Sequence, residues 1–151
     1  MNSTNSGSKA TLEIGNTIAE MEKVVDFVDR FGVAHNIPQF ITNDMNLCLE
    51  ELLNNTISYG YEDTKAHSIM VSLLLIDGLL IAEVQDDGKP FDPSEFAFQA
   101  LDGTLQSRKL GGLGLRFVKT LTDEMGYTRL GQYNVVKMMK KLPEGRGDGD
   151  Q

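Results

Sequence analysis

The chain has 151 residues, of which 40% are hydrophobic, and a formal net charge of −8, which suits one domain with a full-sized apolar core. Because so acidic a surface repels phosphate groups, we expect no nucleic acid and no anionic membrane as partner, whereas a protein with a basic patch is a suitable one. No run approaches the roughly 18 apolar residues of a membrane span, and the single cysteine, Cys48, is expected as a buried thiol of a cytoplasmic protein.

The N-terminal part of the chain predicts a short strand followed by a helix. Residues 10–14 have the composition of a strand. From Thr17 onward apolar residues recur at helical spacing, and Thr17 with Glu20 has the spacing of a capping box. The helix should end near Asn36, because Pro38 disfavours helical geometry in the residue before it.

Residues 41–61, with the sequence I-T-N-D-M-N-L-C-L-E-E-L-L-N-N-T-I-S-Y-G-Y, predict a long amphipathic helix. Thr42 or Asn43 would cap it. Glu51 and Asn55 are four residues apart, at the border between the apolar and the polar arc, so the two side chains can reach one cavity beside the packed face. The alternative is that the Glu-Glu and Asn-Asn pairs only solvate an exposed face.

Two β-hairpins are predicted from alternating apolar residues and turn signals. The predicted strands are residues 68–76, 79–84, 127–130 and 135–141. Asp77-Gly78 is a strong two-residue turn between the first two strands. Residues 131–134 are predicted as the turn between the last two.

The segment Q-D-D-G-K-P-F-D-P, residues 85–93, contains candidate ligand-binding residues at the end of a predicted buried strand. The carboxylate of Asp86 could accept a hydrogen bond from the exocyclic amine of adenine. Gly88, without a Cβ, would let the backbone approach a planar ring. The alternative is an ordinary turn, since Asp-Gly is common in turns.

A second glycine-rich segment follows. The stretch up to residue 110 has no clear periodicity and predicts a loop that could close over a ligand. The sequence G-G-L-G-L, residues 111–115, then runs into a predicted helix. Glycine amides before a helix suit phosphate oxygens, although one glycine cluster alone is a weak signal.

Taken together and in order, E-E-L-L-N-N-T-I-S-Y-G-Y, D-D-G-K-P-F-D-P and G-G-L-G-L-R-F-V-K resemble the N box and two glycine boxes of the ATPase superfamily of gyrase, histidine kinases and mismatch-repair ATPases. Within it, the chain is most similar to the anti-sigma-factor serine kinases of the general-stress and sporulation type. The resemblance implies an α/β (α+β) two-layer sandwich, with about three main helices on one mixed, largely antiparallel sheet. It also implies one ATP-binding kinase domain, residues 10–142, between flexible tails, residues 1–9 and 143–151.

The resemblance assigns roles to particular residues. Glu51 would be the catalytic residue, and Asn55 would bind Mg²⁺, with Asn54 as the alternative if the register shifts by one. Asp86, with Gly88 beside it, would bind adenine. The remaining nucleotide contacts would come from the lid and the second glycine box, at Arg108, Lys109, Gly112, Leu113, Gly114 and Leu115.

The resemblance further implies an ATP- and Mg²⁺-dependent serine/threonine kinase that acts as an anti-sigma regulatory factor. It would phosphorylate a small antagonist protein, sequester a sigma factor and act as a homodimer. One alternative is a non-catalytic ATP-binding module that binds a partner. Another is a detached histidine-kinase catalytic domain, which is less favoured because neither His35 nor His67 has a phosphoacceptor-like helical context. His67, just before a strand, is expected at the surface.

Overall fold

The computed structural model describes residues 7–93, 118 and 120–144. Its strands are β1 Ser8–Gly15, β2 Ser68–Ile76, β3 Leu79–Asp86, β4 Glu124–Leu130 and β5 Tyr133–Lys141. Two helices cover one face of the sheet: α1 Met21–Ala34, preceded by the 3₁₀ turn Ile18–Glu20, and α2 Gln39–Tyr59. The order in the sheet is β1-β2-β3-β5-β4, and each pairing is antiparallel. The predicted two-layer α+β fold is confirmed, although the sheet is antiparallel rather than mixed among the strands that the structure describes.

The core lies between α2 and the inner face of the sheet. Leu49 and Leu53 of α2 and Val71 and Leu73 of β2 are fully buried. Burying a side chain of this size stabilises the fold by roughly 1.5–3 kcal/mol. Cys48 is 1% exposed in the same layer, which confirms the predicted core thiol, and burial raises its pKa to about 12.

Both hairpins are present; β2 has the predicted bounds, whereas β3, β4 and β5 are longer than predicted. Asp77 and Gly78 have φ values of 53° and 75°, as a tight hairpin turn requires, so that turn is confirmed. β3 continues to Asp86, because Asp86 still pairs with Asn134 in β5. The last turn is shorter than the predicted 131–134, since β5 already begins at Tyr133. Asn134 therefore lies in a strand, where the sequence placed a turn.

The predicted cap of the first helix is not observed. Thr17 makes no side-chain hydrogen bond to the helix. The Glu20 carboxylate instead accepts a hydrogen bond from the backbone N–H of Gly15 at 2.9 Å and pairs with Lys23 at 2.9 Å. Glu20 thus connects the end of β1 to the start of the helical layer. The capping-box spacing does not reveal that Gly15 is its hydrogen-bond partner.

The predicted cap of α2 is also wrong. α2 begins at Gln39, directly after Pro38, whose φ of −57° already suits a helix start. Thr42 lies inside the helix, is buried, and donates a hydrogen bond from Oγ1 to the carbonyl of Gln39 at 3.0 Å. Pro38 occupies the N-cap position, and no side chain there accepts a hydrogen bond from the helix.

α1 ends at Ala34, close to the predicted Asn36, whose φ is 56°. Of the predicted third helix, the structure describes Val118 and residues 120–121 as helical. Within the described part of the chain, no helix is both long enough and apolar enough to cross a bilayer.

Candidate nucleotide-binding site

A cavity of about 120 Å³ lies between the end of α2, the end of β3 and the start of β5. It is lined by Leu52, Asn55, Thr56, Tyr59, Gly60, Asp86, Lys89, Phe91, Pro93, Asn134 and Val136. Apolar walls with a few convergent polar side chains are typical of a site for a small molecule. The site is therefore assembled from α2, from the D-D-G-K-P-F loop after β3, and from the start of β5.

Asp86 is the last residue of β3 and is 5% exposed. Its Oδ1 accepts hydrogen bonds from the backbone N–H of Gly88 at 2.8 Å and from Nδ2 of Asn134 at 2.9 Å. Burial raises the pKa of Asp86, and these two hydrogen bonds act in the opposite direction. With Oδ1 engaged twice, Oδ2 is the oxygen that can accept a hydrogen bond from a ligand.

Gly88 lies against the end of α2. A Cβ on Gly88 would stand 2.6 Å from the carbonyl oxygen of Gly60 and 3.0 Å from Oδ1 of Asp86. The same carbonyl oxygen accepts a hydrogen bond from the backbone N–H of Lys89 at 2.8 Å. Glycine is therefore required here for the approach of the loop to the helix, a contact that positions Asp86.

We expect Gly88→Ala to weaken nucleotide binding and to destabilise the fold by roughly 1–3 kcal/mol, the usual cost of inserting a methyl group where none fits. Gly126→Ala is the matched control, because nothing lies within 4 Å of a Cβ added there. Thermal unfolding with and without ATP measures both effects. A Gly88→Ala protein that matches the Gly126→Ala protein in stability and ATP binding would contradict the steric requirement.

Asn55 is 7% exposed and lines the cavity. Its Nδ2 donates a hydrogen bond to the backbone carbonyl of Glu51 at 2.8 Å, so Oδ1 is the atom that can serve as a ligand. A carboxamide oxygen is a hard ligand of the kind that Mg²⁺ prefers. Asn54 is only half-buried and is not among the lining residues. The geometry therefore favours Asn55 over Asn54 for the metal.

Glu51 lies one helical turn before Asn55, half-buried, and is not among the residues that line the cavity. Burial, and to a smaller extent the charge of Glu50, raise the pKa of Glu51. A carboxylate whose pKa is shifted toward the working pH is better suited to accept a proton during catalysis.

The other residues that the resemblance assigned to the site fall outside the described residues. These are Arg108, Lys109, Gly112, Leu113, Gly114 and Leu115. Their contacts with the phosphates remain predictions.

Sequence reasoning missed Asn134, which lines the cavity and hydrogen-bonds to Asp86. It also missed Arg129 of β4, whose Nη1 donates a hydrogen bond to the carbonyl of Gly88 at 2.8 Å. One signal could have revealed Asn134. If the turn is only residues 131–132, Asn134 lies in the strand, and since side chains alternate between faces it is on the same inner face as Val136 and Met138.

His67 is at the surface, as predicted, but neighbouring side chains cover most of its ring. Its side chain is 16% exposed, with Nε2 2.8 Å from Asp63 and Nδ1 3.0 Å from Asp87. Its ring stacks on Tyr61 with a centroid distance of 4.3 Å. The hydrogen bond with Asp63, and then that with Asp87, raise the pKa of His67. These contacts hold the connection between α2 and β2 against the D-D-G loop.

Comparison with known proteins agrees with this architecture. A model of the family described as the histidine kinase-like ATPase domain matches residues 14–140. The serine/threonine-protein kinase BtrW of Bordetella bronchiseptica is 22% identical over 124 residues, which cover 82% of this chain and 87% of that protein. The anti-sigma F factor of Caldanaerobacter subterraneus is 28% identical over 104 residues, which cover 68% of this chain and 72% of that protein.

A solved structure shows the same fold. The RsbU and RsbW domains of Rv1364c from Mycobacterium tuberculosis superpose with a TM-score of 0.63 at 18% identity. The match covers 88% of this chain but 32% of that one, so this chain spans about a third of that protein's solved length. The predicted resemblance to anti-sigma-factor kinases is confirmed, and the chain belongs to the histidine kinase-like ATPase domain family.

Proposed function

We propose that this protein is an ATP-dependent serine/threonine kinase that acts as an anti-sigma factor. The observation that carries the proposal is the buried carboxylate of Asp86, which has one free oxygen in a cavity that also contains Asn55. Family membership supports ATP as the nucleotide. The relatives that are a serine/threonine-protein kinase and an anti-sigma F factor support the reaction and the regulatory role.

Each of three residues of the site would have a separate role in nucleotide binding or phosphate transfer. Asp86 would accept a hydrogen bond from the exocyclic amine of adenine. Asn55 would hold Mg²⁺, which neutralises phosphate charge when bound. Glu51, which is not among the cavity-lining residues, would accept the proton of the attacking serine hydroxyl of the protein substrate.

The proposed partners are an antagonist protein that receives the phosphate and a sigma factor that is sequestered. The net charge of −8 favours partners with a basic surface, since association is then steered electrostatically. We propose that the protein is a cytoplasmic homodimer. Leu74, Ile81 and Met139 support dimerisation, because they are cross-strand neighbours on the sheet face that the helices do not cover and are partly exposed.

The test is to incubate the protein with ATP, Mg²⁺ and antagonist proteins captured from a native lysate, and to locate the phosphate by mass spectrometry. We expect phosphate on a serine or threonine of the antagonist, and dissociation of the complex afterwards, since a phosphate in an acidic interface is repelled. The control is the same antagonist with its acceptor residue replaced by alanine.

Other outcomes would favour the alternatives. Capture of a sigma factor without any phosphorylated antagonist would favour the non-catalytic binding module. Phosphohistidine on a captured partner would favour a histidine-kinase catalytic domain. Association that does not slow as salt rises would contradict the electrostatic basis of partner choice.

A further inference from the structure

Asn134 is 3% exposed and uses its whole hydrogen-bonding capacity within the protein. Nδ2 donates to Oδ1 of Asp86 and to the carbonyl of Lys89, both at 2.9 Å. Oδ1 accepts from the hydroxyl of Tyr127 at 2.7 Å and from the backbone N–H of Phe91 at 3.3 Å. Because the Lys89 carbonyl can only accept and the Phe91 N–H can only donate, the orientation of the amide is determined.

Asn134 and Asp86 have different roles in this hydrogen-bond network. Asn134 has no remaining donor or acceptor for a ligand, although it lines the cavity. Its hydrogen bond, together with that from the Gly88 N–H, occupies Oδ1 of Asp86. Oδ2 is thereby left as a fixed acceptor whose direction is set by Asn134.

We propose that Asn134 is a positioning residue that fixes Asp86 as a hydrogen-bond acceptor and thereby sets the preference of the site for adenine over guanine. The inference rests on the proposed ATP site. Adenine presents an exocyclic amine, which donates to the carboxylate, where guanine presents a carbonyl oxygen. A carboxylate held in place cannot turn away from that oxygen, so guanine is rejected.

Asn134→Asp is the most informative variant, because it preserves shape and keeps both acceptors for Tyr127 and Phe91. It removes the hydrogen bonds to Asp86 and to the Lys89 carbonyl and brings two carboxyl groups into contact. We expect ATP affinity to fall about 10-fold or more at about pH 8, and the ratio of ATP to GTP affinity to fall by a similar factor. Calorimetry with both nucleotides measures the two quantities.

The pH dependence separates positioning from mere structural support. In wild type, ATP affinity should hold or fall as the pH is lowered from about 9 to about 6, since protonation removes the acceptor at Asp86. In Asn134→Asp it should rise, because one proton shared by the two carboxyl groups restores a donor toward Asp86. Among the described residues, the other charged or titratable groups around Asp86 and Asn134 are the same in both proteins: Asp87, Arg129, Tyr61, Tyr127 and, in the cavity lining, Tyr59 and Lys89.

Two further variants keep the test decisive. Tyr127→Phe removes only one of the two hydrogen bonds that hold Oδ1 of Asn134 in place, and should lower the ATP-to-GTP preference about 2- to 10-fold. Asn36→Asp adds the same charge at an exposed turn after α1 and should behave as wild type.

The possible failures are distinct. If wild type binds neither nucleotide, the proposed function fails. If wild type binds ATP and Asn134→Asp has the same affinity, preference and pH trend, the role of Asn134 is refuted while the proposed function stands. If Asn134→Asp does not fold, Tyr127→Phe decides, and an unchanged preference in that variant overturns the inference.

Discussion

Glu51→Gln is expected to bind ATP as wild type does and to transfer phosphate about 10²-fold or more slowly, the usual effect of losing a positioned general base. Glutamine has the same shape and can still form hydrogen bonds, but it cannot take up the proton of the acceptor hydroxyl. Single-turnover phosphorylation of the antagonist measures the rate, and calorimetry measures ATP binding. Transfer at the wild-type rate would rule out this role for Glu51.

Glu50→Gln is the matched control, since it removes the same charge from the exposed neighbouring position. It should transfer phosphate at nearly the wild-type rate. The pKa of Glu51 is raised by burial and by Glu50, so the wild-type rate should decline on acidification at a higher pH than for an ordinary glutamate. That decline should be absent in Glu51→Gln and shifted to lower pH in Glu50→Gln.

Asp86→Asn should weaken ATP binding by roughly 10- to 150-fold, which corresponds to about 1.5–3 kcal/mol for a hydrogen bond to a charged group. The asparagine oxygen can still accept from Gly88 and Asn134, which leaves the new NH₂ group facing the ligand. A donor then meets the amine of adenine, so the loss is specific to binding. Calorimetry on both proteins measures it.

The same substitution should not lower the stability of the ligand-free protein. Because burial raises the pKa of Asp86 in the folded state, the folded state holds this proton more strongly than the unfolded state. Stability is therefore lost as the pH rises from the unfolded to the folded pKa, and an uncharged side chain avoids that loss. We expect an equal or higher melting temperature for Asp86→Asn at about pH 7.

Asp77→Asn is the control for charge, because it lies in the hairpin turn at φ 53°, a conformation that asparagine also adopts. It should bind ATP as wild type does. If Asp86→Asn and Asp77→Asn bind ATP equally well, Asp86 is not an adenine ligand. A large drop in the melting temperature of Asp86→Asn would show instead that its effect on binding is structural.

The sequence by itself determined the parts of this protein that depend on neighbouring residues. The apolar arc of α2 placed Glu51 and Asn55 one turn apart, and Asp77-Gly78 determined the first hairpin. The D-D-G motif placed Asp86 at the end of a buried strand, where it lines the cavity. Helical periodicity and turn chemistry act over a few residues, so a local pattern is sufficient to predict them.

The tertiary structure alone decided which distant residues meet at the site. Asn134 contacts Asp86 across 48 residues of sequence, because the register between β3 and β5 places the two directly opposite each other. His67 is enclosed by Asp63 and Asp87, which approach it from two separate loops. Such pairings depend on strand register and loop packing, which result from burying the whole core at once, and no short segment encodes them.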